Sequence, residues 1–288
     1  MEQVYVKARA KINLNLEVLN KREDNYHNLK SVFQKINLYD EIYIKKSNNN
    51  SCEIQTNIEE LNNKENIIYK AYLKLKELFP EITGVSVKIN KKIPMQAGLA
   101  GGSTDCASFI LGINKLFELN LSKKEIENIG KCLGADVVPC LYNRAVIAEG
   151  IGDIITKVNT DFKYYLVLVK PDMSCNTKEM YDRIDNNKVF NRLDNTDTIV
   201  EGLENNNLEL ITNNLHNAFE EVLDNKTIIE EIKSEFKNNE AMVSQLTGSG
   251  SCVYVIFKNK QDAYFAYNNL KNKFETYICT SYNSKREV

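Results

Sequence analysis

Pro94-Met-Gln-Ala-Gly-Leu-Ala-Gly-Gly-Ser-Thr104 is the stretch on which the fold and function of this 288-residue chain depend. Apolar residues alternate over 85–89, which predicts a strand, and recur at helical spacing over 106–117, which predicts a helix. The glycines between them lack a Cβ, so their backbone can approach a ligand closely and adopt positive φ. Because the first turn of a helix carries unpaired N–H groups, phosphate is the favoured ligand, with a tight structural turn as the alternative.

Two better-known phosphate-binding motifs do not fit this loop. No lysine precedes Ser103 and Thr104, as a Walker A motif requires, and the glycines are not spaced as G-x-G-x-x-G. The loop therefore disfavours a P-loop NTPase and a Rossmann dinucleotide-binding fold.

The composition is that of a globular protein without a general attraction to polyanions. Hydrophobic residues make up 43% of the chain and charged residues 26%, and 37 Lys and Arg against 39 Asp and Glu leave a net charge of -2. This balance argues against a nucleic-acid partner and against binding to an acidic membrane. No apolar run approaches the roughly 18 residues of a membrane span, and the N-terminus lacks a signal-peptide pattern, so we expect a cytoplasmic protein.

The seven cysteines are scattered and include no C-x-x-C pair. An odd number without close pairs predicts neither a disulfide framework nor a zinc site. Most have apolar neighbours, so we expect buried, reduced thiols, as in the cytosol.

Strict alternation over 11–18 predicts a half-buried strand near the N-terminus. Its apolar side chains share one face, and Lys11 and Asn13 lie together on the other face. This places an ammonium and an amide side by side.

Two helices are predicted in the first half besides the one after the glycine loop. Helical spacing over 67–79 predicts an amphipathic helix that ends before Pro80. Ser122 and Glu125 form a capping box, which predicts the start of another helix.

The second half also mixes strands and helices. The apolar run 165–169 predicts a buried strand, helical spacing over 208–222 predicts a helix, and the loop 247–251 leads into another apolar strand. We place a domain boundary near 160, which gives an N-terminal domain over 1–160 and a C-terminal domain over 161–288.

Three segments, in order along the chain, resemble the signature motifs of the GHMP kinases, which include galactokinase and the homoserine, mevalonate and phosphomevalonate kinases. The segments are Ala8-Arg-Ala-Lys-Ile-Asn-Leu14, the glycine loop through Asp105, and Leu246-Thr-Gly-Ser-Gly-Ser-Cys252. The resemblance implies an α+β fold, with an N-terminal domain like that of ribosomal protein S5, a ferredoxin-like C-terminal domain and the active site between them. It also implies that ATP is the phosphoryl donor and that Mg²⁺ accompanies it.

Two further segments narrow the resemblance to the family of 4-diphosphocytidyl-2-C-methyl-D-erythritol kinases. Arg22-Glu-Asp-Asn-Tyr-His-Asn-Leu29 resembles that family's R-x-D-G-Y-H-x-L, and Leu133-Gly-Ala-Asp-Val137 resembles the start of its L-G-A-D-V-P. The chain departs from both patterns, because Asn25 replaces a glycine and Val138 stands where proline is usual. The resemblance implies phosphorylation of the 2-hydroxyl of a small cytidyl diphosphate substrate in non-mevalonate isoprenoid precursor biosynthesis.

The resemblance also implies roles for individual residues. Asp136 is expected to be the catalytic base, with Lys11 as the cation beside it. The residues expected to bind the ATP phosphates are Pro94, Met95, Gln96, Ala97, Gly98, Leu99, Ala100, Gly101, Gly102, Ser103 and Thr104. Those expected to bind the substrate are Asn13, Tyr26, His27, Thr177, Gly248 and Gly250. No acidic or histidine cluster predicts a dedicated metal site.

Other interpretations of the same residues remain open. From its own segment, Lys11 could be a solvated strand residue, Asp136 a loop or cap residue and Asn13 a structural contact. The whole chain could be another GHMP kinase, of the mevalonate or homoserine type, or a non-catalytic nucleotide sensor on the same fold. The segment with Tyr26 and His27 argues against another GHMP kinase.

Overall fold

The computed structural model describes residues 1–190, 194–224, 226–237 and 241–284. The strands are β1 Gln3–Lys21, β2 His27–Ser47, β3 Cys52–Thr56, β4 Gly84–Asn90, β5 Val146–Gly150, β6 Ile154–Lys157, β7 Tyr165–Lys170, β8 His216–Asn217, β9 Val243–Leu246, β10 Val253–Phe257 and β11 Glu275–Thr280. The helices are α1 Ile67–Leu78, α2 Gly101–Phe117, α3 Lys123–Leu133, α4 Val137–Cys140, α5 Thr177–Asn187, α6 Thr196–Glu204, α7 Leu208–Thr212, α8 Ala218–Glu221, α9 Thr227–Lys237 and α10 Lys260–Leu270.

The larger sheet is built around the long antiparallel pair β1 and β2. Its strands run in the order β3, β4, β2, β1, β8, and β5 and β6 extend it from β2. Helices α1 and α2 cover one face, where Ile44 and Val87 of the sheet join Ile110 of α2 in an apolar core. This core holds the start of α2, and hence the glycine loop, against the sheet.

The smaller sheet contains β11, β7, β10 and β9, all antiparallel. One apolar cluster is shared by the two sheets, because Ile12 and Leu14 of β1 belong to the same buried cluster as Leu168 of β7 and Tyr254 of β10. The division into domains 1–160 and 161–288 remains a prediction.

Several local predictions are confirmed. The segment 91–100 links β4 to α2, as the order of strand, glycine loop and helix required. The capping box at the start of α3 is complete, since the Ser122 hydroxyl accepts from the Glu125 N–H while the Glu125 carboxylate accepts from the Ser122 N–H. Helix α1 ends one residue before Phe79, its C-cap.

The prediction of a half-buried first strand is wrong. The polar face of β1 is also buried, with Lys11 3% and Asn13 0% exposed. The second half of the chain covers this face, since the Gly248 N–H donates to the side-chain Oδ1 of Asn13 at 3.0 Å. Alternation within one strand shows that its faces differ but not what covers each of them.

The prediction of a single helix over 208–222 is also wrong. Two short helices, α7 and α8, are separated by β8, which pairs in parallel with β1 through Leu16 and Asn217. The Asn217 side chain accepts from the Phe219 N–H and caps α8. Asparagine favours caps over helix interiors because its side chain competes for backbone hydrogen bonds.

All seven cysteines are free thiols, and five of them are buried. Cys132 is exposed and Cys175 is partly exposed. No helix within the described ranges is long and apolar enough to cross a membrane.

Candidate active site

A cavity of about 640 Å³ is lined by residues from both halves of the chain. The predicted site residues that line it are Lys11, Asn13, Pro94, Met95, Gln96, Ala97, Gly98, Leu99, Ala100, Gly101, Gly102, Asp136, Thr177, Gly248 and Gly250. Tyr26, His27, Ser103 and Thr104 lie outside this lining. The structure thus brings together residues from five separate stretches of the chain, at 11–13, 94–102, 136, 177 and 248–250.

The glycine loop has an unusual backbone. Gln96, Gly98 and Ala100 all have positive φ, between 51 and 71°. A Cβ at Gly98 would lie 2.0 Å from the Thr247 carbonyl oxygen, so only glycine fits there. Ala100 precedes α2 without a side-chain cap, which leaves the N–H groups of its first turn available to an anion in the cavity.

The Lys11 ammonium is fixed at the wall of the cavity. Its Nζ donates to Asn13 Oδ1 at 2.8 Å and to the Gly98 carbonyl at 3.0 Å, and it lies 4.9 Å from the ring centre of Phe33. Burial lowers the pKa of Lys11, and the negative charge of Asp136 partly opposes that shift. The two oxygens that accept hydrogen bonds from Lys11 are neutral, so an anion bound in the cavity would provide the negative charge that stabilises the ammonium.

Asp136 lies directly before α4 and lines the same cavity. Its carboxylate forms no hydrogen bond or ion pair with any residue in the described ranges, and it does not cap α4. Val138, which stands where the family has proline, and Pro139, which follows it, both lie inside α4. The carboxylate is therefore free to contact a ligand.

Asn13 connects β1 to the loop before β10. Its Oδ1 accepts from Lys11 Nζ and from the Gly248 N–H at 3.0 Å, and its Nδ2 donates to Ser31 Oγ at 2.8 Å. The side chain of Asn13 therefore positions both Lys11 and the loop.

The segment 247–250, which we call the third loop, contacts the glycine loop directly. Gly248 and Gly250 have φ of 54 and 93°. A Cβ at Gly248 would lie 2.8 Å from the Gly98 carbonyl oxygen. On its other side the loop meets α5, where the hydroxyls of Thr177 and Ser249 lie 2.8 Å apart.

His27 lies next to the cavity, through a residue that lines it. The His27 ring stacks on Tyr181, which does line the cavity, with ring centres 4.7 Å apart and planes at 14°. His27 Nε2 lies 2.7 Å from Asp185 Oδ1. Tyr26 is 57% exposed. The structure thus places His27 next to the cavity with one ring nitrogen occupied by Asp185, and it shows Tyr26 only as an exposed neighbour of His27 in the chain.

Thr104 is turned away from the cavity. Its hydroxyl donates to the Arg9 carbonyl at 2.7 Å and accepts from Lys35 Nζ at 3.1 Å, and it is fully buried. This hydroxyl anchors the first turn of α2 to β1 and β2.

Sequence reasoning missed an ionic cluster at the edge of the cavity. Lys91 Nζ forms ion pairs with the buried carboxylates of Asp40 and Asp105, at 2.6 Å for Asp105. Burial raises the pKa of Asp105 well above its usual value, and the nearby Asp40 adds to the effect. Asp105 also lines the cavity, and its Oδ1 has no hydrogen-bond partner within the described part of the chain. The available signal was a lysine pair before the loop and an acid within α2, neither of which is specific.

Comparison with known proteins assigns the chain to a family. Residues 66–144 match the GHMP kinase N-terminal domain and residues 199–276 match the GHMP kinase C-terminal domain. A 4-diphosphocytidyl-2-C-methyl-D-erythritol kinase of Alkaliphilus oremlandii is 39% identical over 292 residues, covering 100% of both chains. One of Clostridium tetani is 40% identical over 281 residues, covering 95% of this chain and 98% of that protein. The chain belongs to this kinase family.

Solved structures agree with that assignment at the level of the fold. A crystal structure of 4-(cytidine 5'-diphospho)-2C-methyl-D-erythritol kinase has a TM-score of 0.84 at 23% identity, over 98% of this chain and 100% of that one. Mevalonate kinase of L. major has a TM-score of 0.77 at 14% identity, over 99% and 98% of the two chains. The chain is thus a kinase with the expected α+β fold of the GHMP kinases, and the resemblance inferred from its motifs is confirmed.

Proposed function

We propose that this kinase transfers the γ-phosphoryl group of ATP to the 2-hydroxyl of 4-diphosphocytidyl-2-C-methyl-D-erythritol. One observation carries the proposal: the glycine loop, the Lys11 ammonium and the Asp136 carboxylate open onto a single cavity. The names of the relatives in Alkaliphilus oremlandii and Clostridium tetani support the substrate.

ATP binds with its phosphates against the glycine loop and the start of α2. The N–H groups of Gly101 and Gly102 belong to the first helical turn and border the cavity, so they can donate to phosphate oxygens. The Gly98 carbonyl accepts from Lys11 Nζ, which holds the ammonium beside the loop that binds the phosphates.

Asp136 is the base of the transfer step, and Lys11 stabilises the charge on the group being transferred. Asp136 forms no hydrogen bond with the part of the chain that the structure describes, so its carboxylate can accept the proton of the substrate hydroxyl. Phosphoryl transfer depends mainly on holding the two reactants in line and on neutralising charge on the moving phosphoryl group. The buried Lys11 ammonium neutralises charge on the moving phosphoryl group, and it does so effectively because water screens it little.

The substrate binds at the other end of the cavity. Its diphosphate lies against the third loop, where Gly248 and Gly250 let it approach the backbone, with Thr177 alongside. Its cytosine lies at the rim, where Tyr26 offers a ring for stacking and His27 offers the nitrogen that Asp185 leaves free.

Mg²⁺ accompanies ATP without a site made of protein ligands alone. No group of three or more His, Cys, Asp or Glu suited to a metal exists among the residues described above. The free carboxylate of Asp136 in the cavity fits a hard cation that takes most of its oxygen ligands from phosphates and water. When bound, Mg²⁺ neutralises charge on the phosphates.

The cytoplasm is the compartment that fits this chemistry. Seven unpaired cysteines suit a reducing environment, in which thiols stay reduced.

An ADP-release assay tests the substrate assignment. The purified chain is given ATP, Mg²⁺ and one of three acceptors: 4-diphosphocytidyl-2-C-methyl-D-erythritol, mevalonate or homoserine. We expect ADP release with the cytidyl acceptor only. Turnover with mevalonate or homoserine alone contradicts the proposed substrate, and ATP binding without ADP release in the presence of any of the three acceptors contradicts the proposed phosphoryl transfer itself.

A further inference from the structure

Asn217 is a buried polar residue that the mechanism above does not use. It is 1% exposed and lies in β8, between β1 and the third loop. In the sequence, Asn217 lies within a segment whose apolar residues have helical spacing, so no special role was predicted for it. In the structure it lies in the two-residue strand β8, where it pairs with Leu16 of β1. A fully buried amide needs partners for its donors and its acceptor.

Every hydrogen-bonding group of the Asn217 amide is satisfied, mostly by the third loop and the strand before it. Nδ2 donates to the Leu246 carbonyl at 2.8 Å and to the Gly248 carbonyl at 2.9 Å. Oδ1 accepts from the Phe219 N–H at 3.0 Å. Asparagine is therefore required, because aspartate of the same shape would turn acceptor oxygens toward two carbonyls.

The loop held by Asn217 is in contact with Lys11. The Gly248 N–H donates to Asn13 Oδ1 at 3.0 Å, and the same oxygen accepts from Lys11 Nζ at 2.8 Å. Asn217 therefore donates a hydrogen bond to the carbonyl of Gly248, while Asn13 accepts one from the N–H of the same residue. The two asparagines hold Gly248 from opposite sides.

A residue of α8, Glu220, supports the strand that leads into the same loop. Glu220 accepts from the Leu246 N–H at 2.9 Å and from Gln245 Nε2 at 3.1 Å. Asn217 and Glu220 thus hold both backbone groups of Leu246 at the end of β9. Hydrogen bonds from Asn217 and Glu220 therefore fix the end of β9, from which the third loop continues to the cavity.

We propose that Asn217 is a positioning residue for phosphoryl transfer, which fixes the third loop against Asn13 and so sets the place of the substrate's diphosphate relative to Lys11. This inference rests on the proposed function of the third loop. Asn217 itself does not border the cavity and acts through Gly248.

Steady-state kinetics of Asn217→Asp test the proposal, with Asn207→Asp as the matched control. Asn207 is exposed and caps α7 by accepting from the Leu210 N–H, which aspartate also does. For Asn217→Asp we expect KM for the cytidyl substrate to rise and kcat to fall, each about tenfold, with KM for ATP within about twofold of wild type. Asn207→Asp should match wild type.

Two kinetic results would overturn the proposal. One is Asn217→Asp kinetics equal to those of the control. The other is an equal rise in KM for ATP and for the cytidyl substrate together with a lower melting temperature, which indicates general loosening. If Asn217→Asp does not fold, Asn217→Ser replaces it, because serine keeps a cap for α8 and loses one of the two donors.

Hydrogen exchange provides a test that is independent of the substrate. In the unliganded protein we expect peptides that cover 243–251 to exchange faster in Asn217→Asp than in wild type, and not in Asn207→Asp. Unchanged exchange there, or faster exchange across the whole chain, contradicts the positioning role. A wild-type chain that fails to turn over the cytidyl substrate refutes the proposed function instead, and the exchange result still decides whether Asn217 holds the loop.

Discussion

At the scale of single residues, the site depends on a lysine buried among neutral acceptors. Lys11 Nζ donates hydrogen bonds to Asn13 Oδ1 and to the Gly98 carbonyl. Burial lowers the pKa of Lys11, and the negative charge of Asp136 is the main effect that raises it. Holding a charge in such a place is costly until a ligand supplies the opposite charge. The binding of phosphates and the ionisation of Lys11 are therefore coupled.

The lowered pKa of Lys11 predicts a pH dependence for the reaction. If transfer uses the charged ammonium, as proposed, activity is lost as the pH rises through the pKa of Lys11 in the free enzyme. We expect the alkaline limb of kcat/KM to lie below about 10.4, the value of an unperturbed lysine. In Lys11→Arg the residual activity should lose this limb, because a guanidinium stays charged. An identical limb in both proteins would contradict the assignment to Lys11.

Replacement of Asp136 tests the base directly. Asp136→Asn keeps the shape of the side chain but removes its ability to accept the substrate proton, so we expect kcat to fall by about 10²- to 10⁴-fold. ATP affinity, measured by calorimetry, should stay within about twofold of wild type, because the glycine loop is unchanged. Asp172→Asn, an exposed position outside the cavity lining, is the control and should keep full activity. Unchanged turnover in Asp136→Asn would remove Asp136 from the role of base.

At the scale of elements, the two glycine-containing loops fit against each other because neither carries a Cβ at the point of contact. A Cβ at Gly98 would meet the Thr247 carbonyl, and one at Gly248 would meet the Gly98 carbonyl. The start of α2 and the end of β9 are joined through this contact. It links the predicted nucleotide side of the cavity to the predicted substrate side.

Gly98→Ala should disrupt that contact. Its φ is 71°, and the added methyl would lie 2.0 Å from the Thr247 carbonyl oxygen, so we expect a loss of about 1–3 kcal/mol in the free energy of unfolding. ATP affinity should fall by more than about tenfold. Gly134→Ala serves as the stability control, because its backbone is extended and the nearest atom to an added Cβ is 3.5 Å away. Denaturant titration measures both, and equal stability of the two variants would contradict this account.

The capping box of α3 has a purely structural effect. Ser122→Ala removes the hydroxyl that accepts from the Glu125 N–H, which should cost about 1 kcal/mol in the free energy of unfolding. Because α3 does not border the cavity, KM for ATP should not change. Urea titration and steady-state kinetics check the two halves of this prediction, and an altered KM would show that α3 influences the site.

At the scale of the whole molecule, the two sheets depend on each other. The apolar face of β1, with Ile12 and Leu14, shares its buried cluster with Tyr164 and Tyr254 of the second half. The polar face of the same strand contacts Thr247. Separation of the halves would expose both faces of the strand that carries Lys11.

We therefore expect one cooperative unfolding transition in calorimetry rather than two. ATP at 100 times its dissociation constant should raise the free energy of unfolding of the whole chain by about 2.7 kcal/mol. A fragment of residues 1–160 should not bind ATP with comparable affinity, because the cover of β1 is missing. Two separate transitions, or native ATP affinity in the fragment, would contradict the shared core.

Much of the local structure and the chemistry of the cavity could be predicted from the sequence. The order of strand, glycine loop and helix around Gly98, the capping box at Ser122 and the family motifs all depend on residues close together in the chain. Hydrogen bonds within one turn and side-chain periodicity act over a few residues, so they leave a readable pattern. The placement of Lys11 and Asp136 in one cavity followed from the resemblance to a known fold, not from the pattern itself.

The remaining features depend on contacts between distant segments. The burial of Asn13 beneath the third loop, the ion pairs of Lys91 with Asp40 and Asp105, and the grip of Asn217 on Gly248 each join residues brought together by folding. A polar side chain looks the same in the sequence whether water or another strand covers it, because its environment is set by which strands pair and which faces meet. The pairing of strands and the contact of their faces are decided only when the sheets assemble, so they produce no periodic pattern in the sequence.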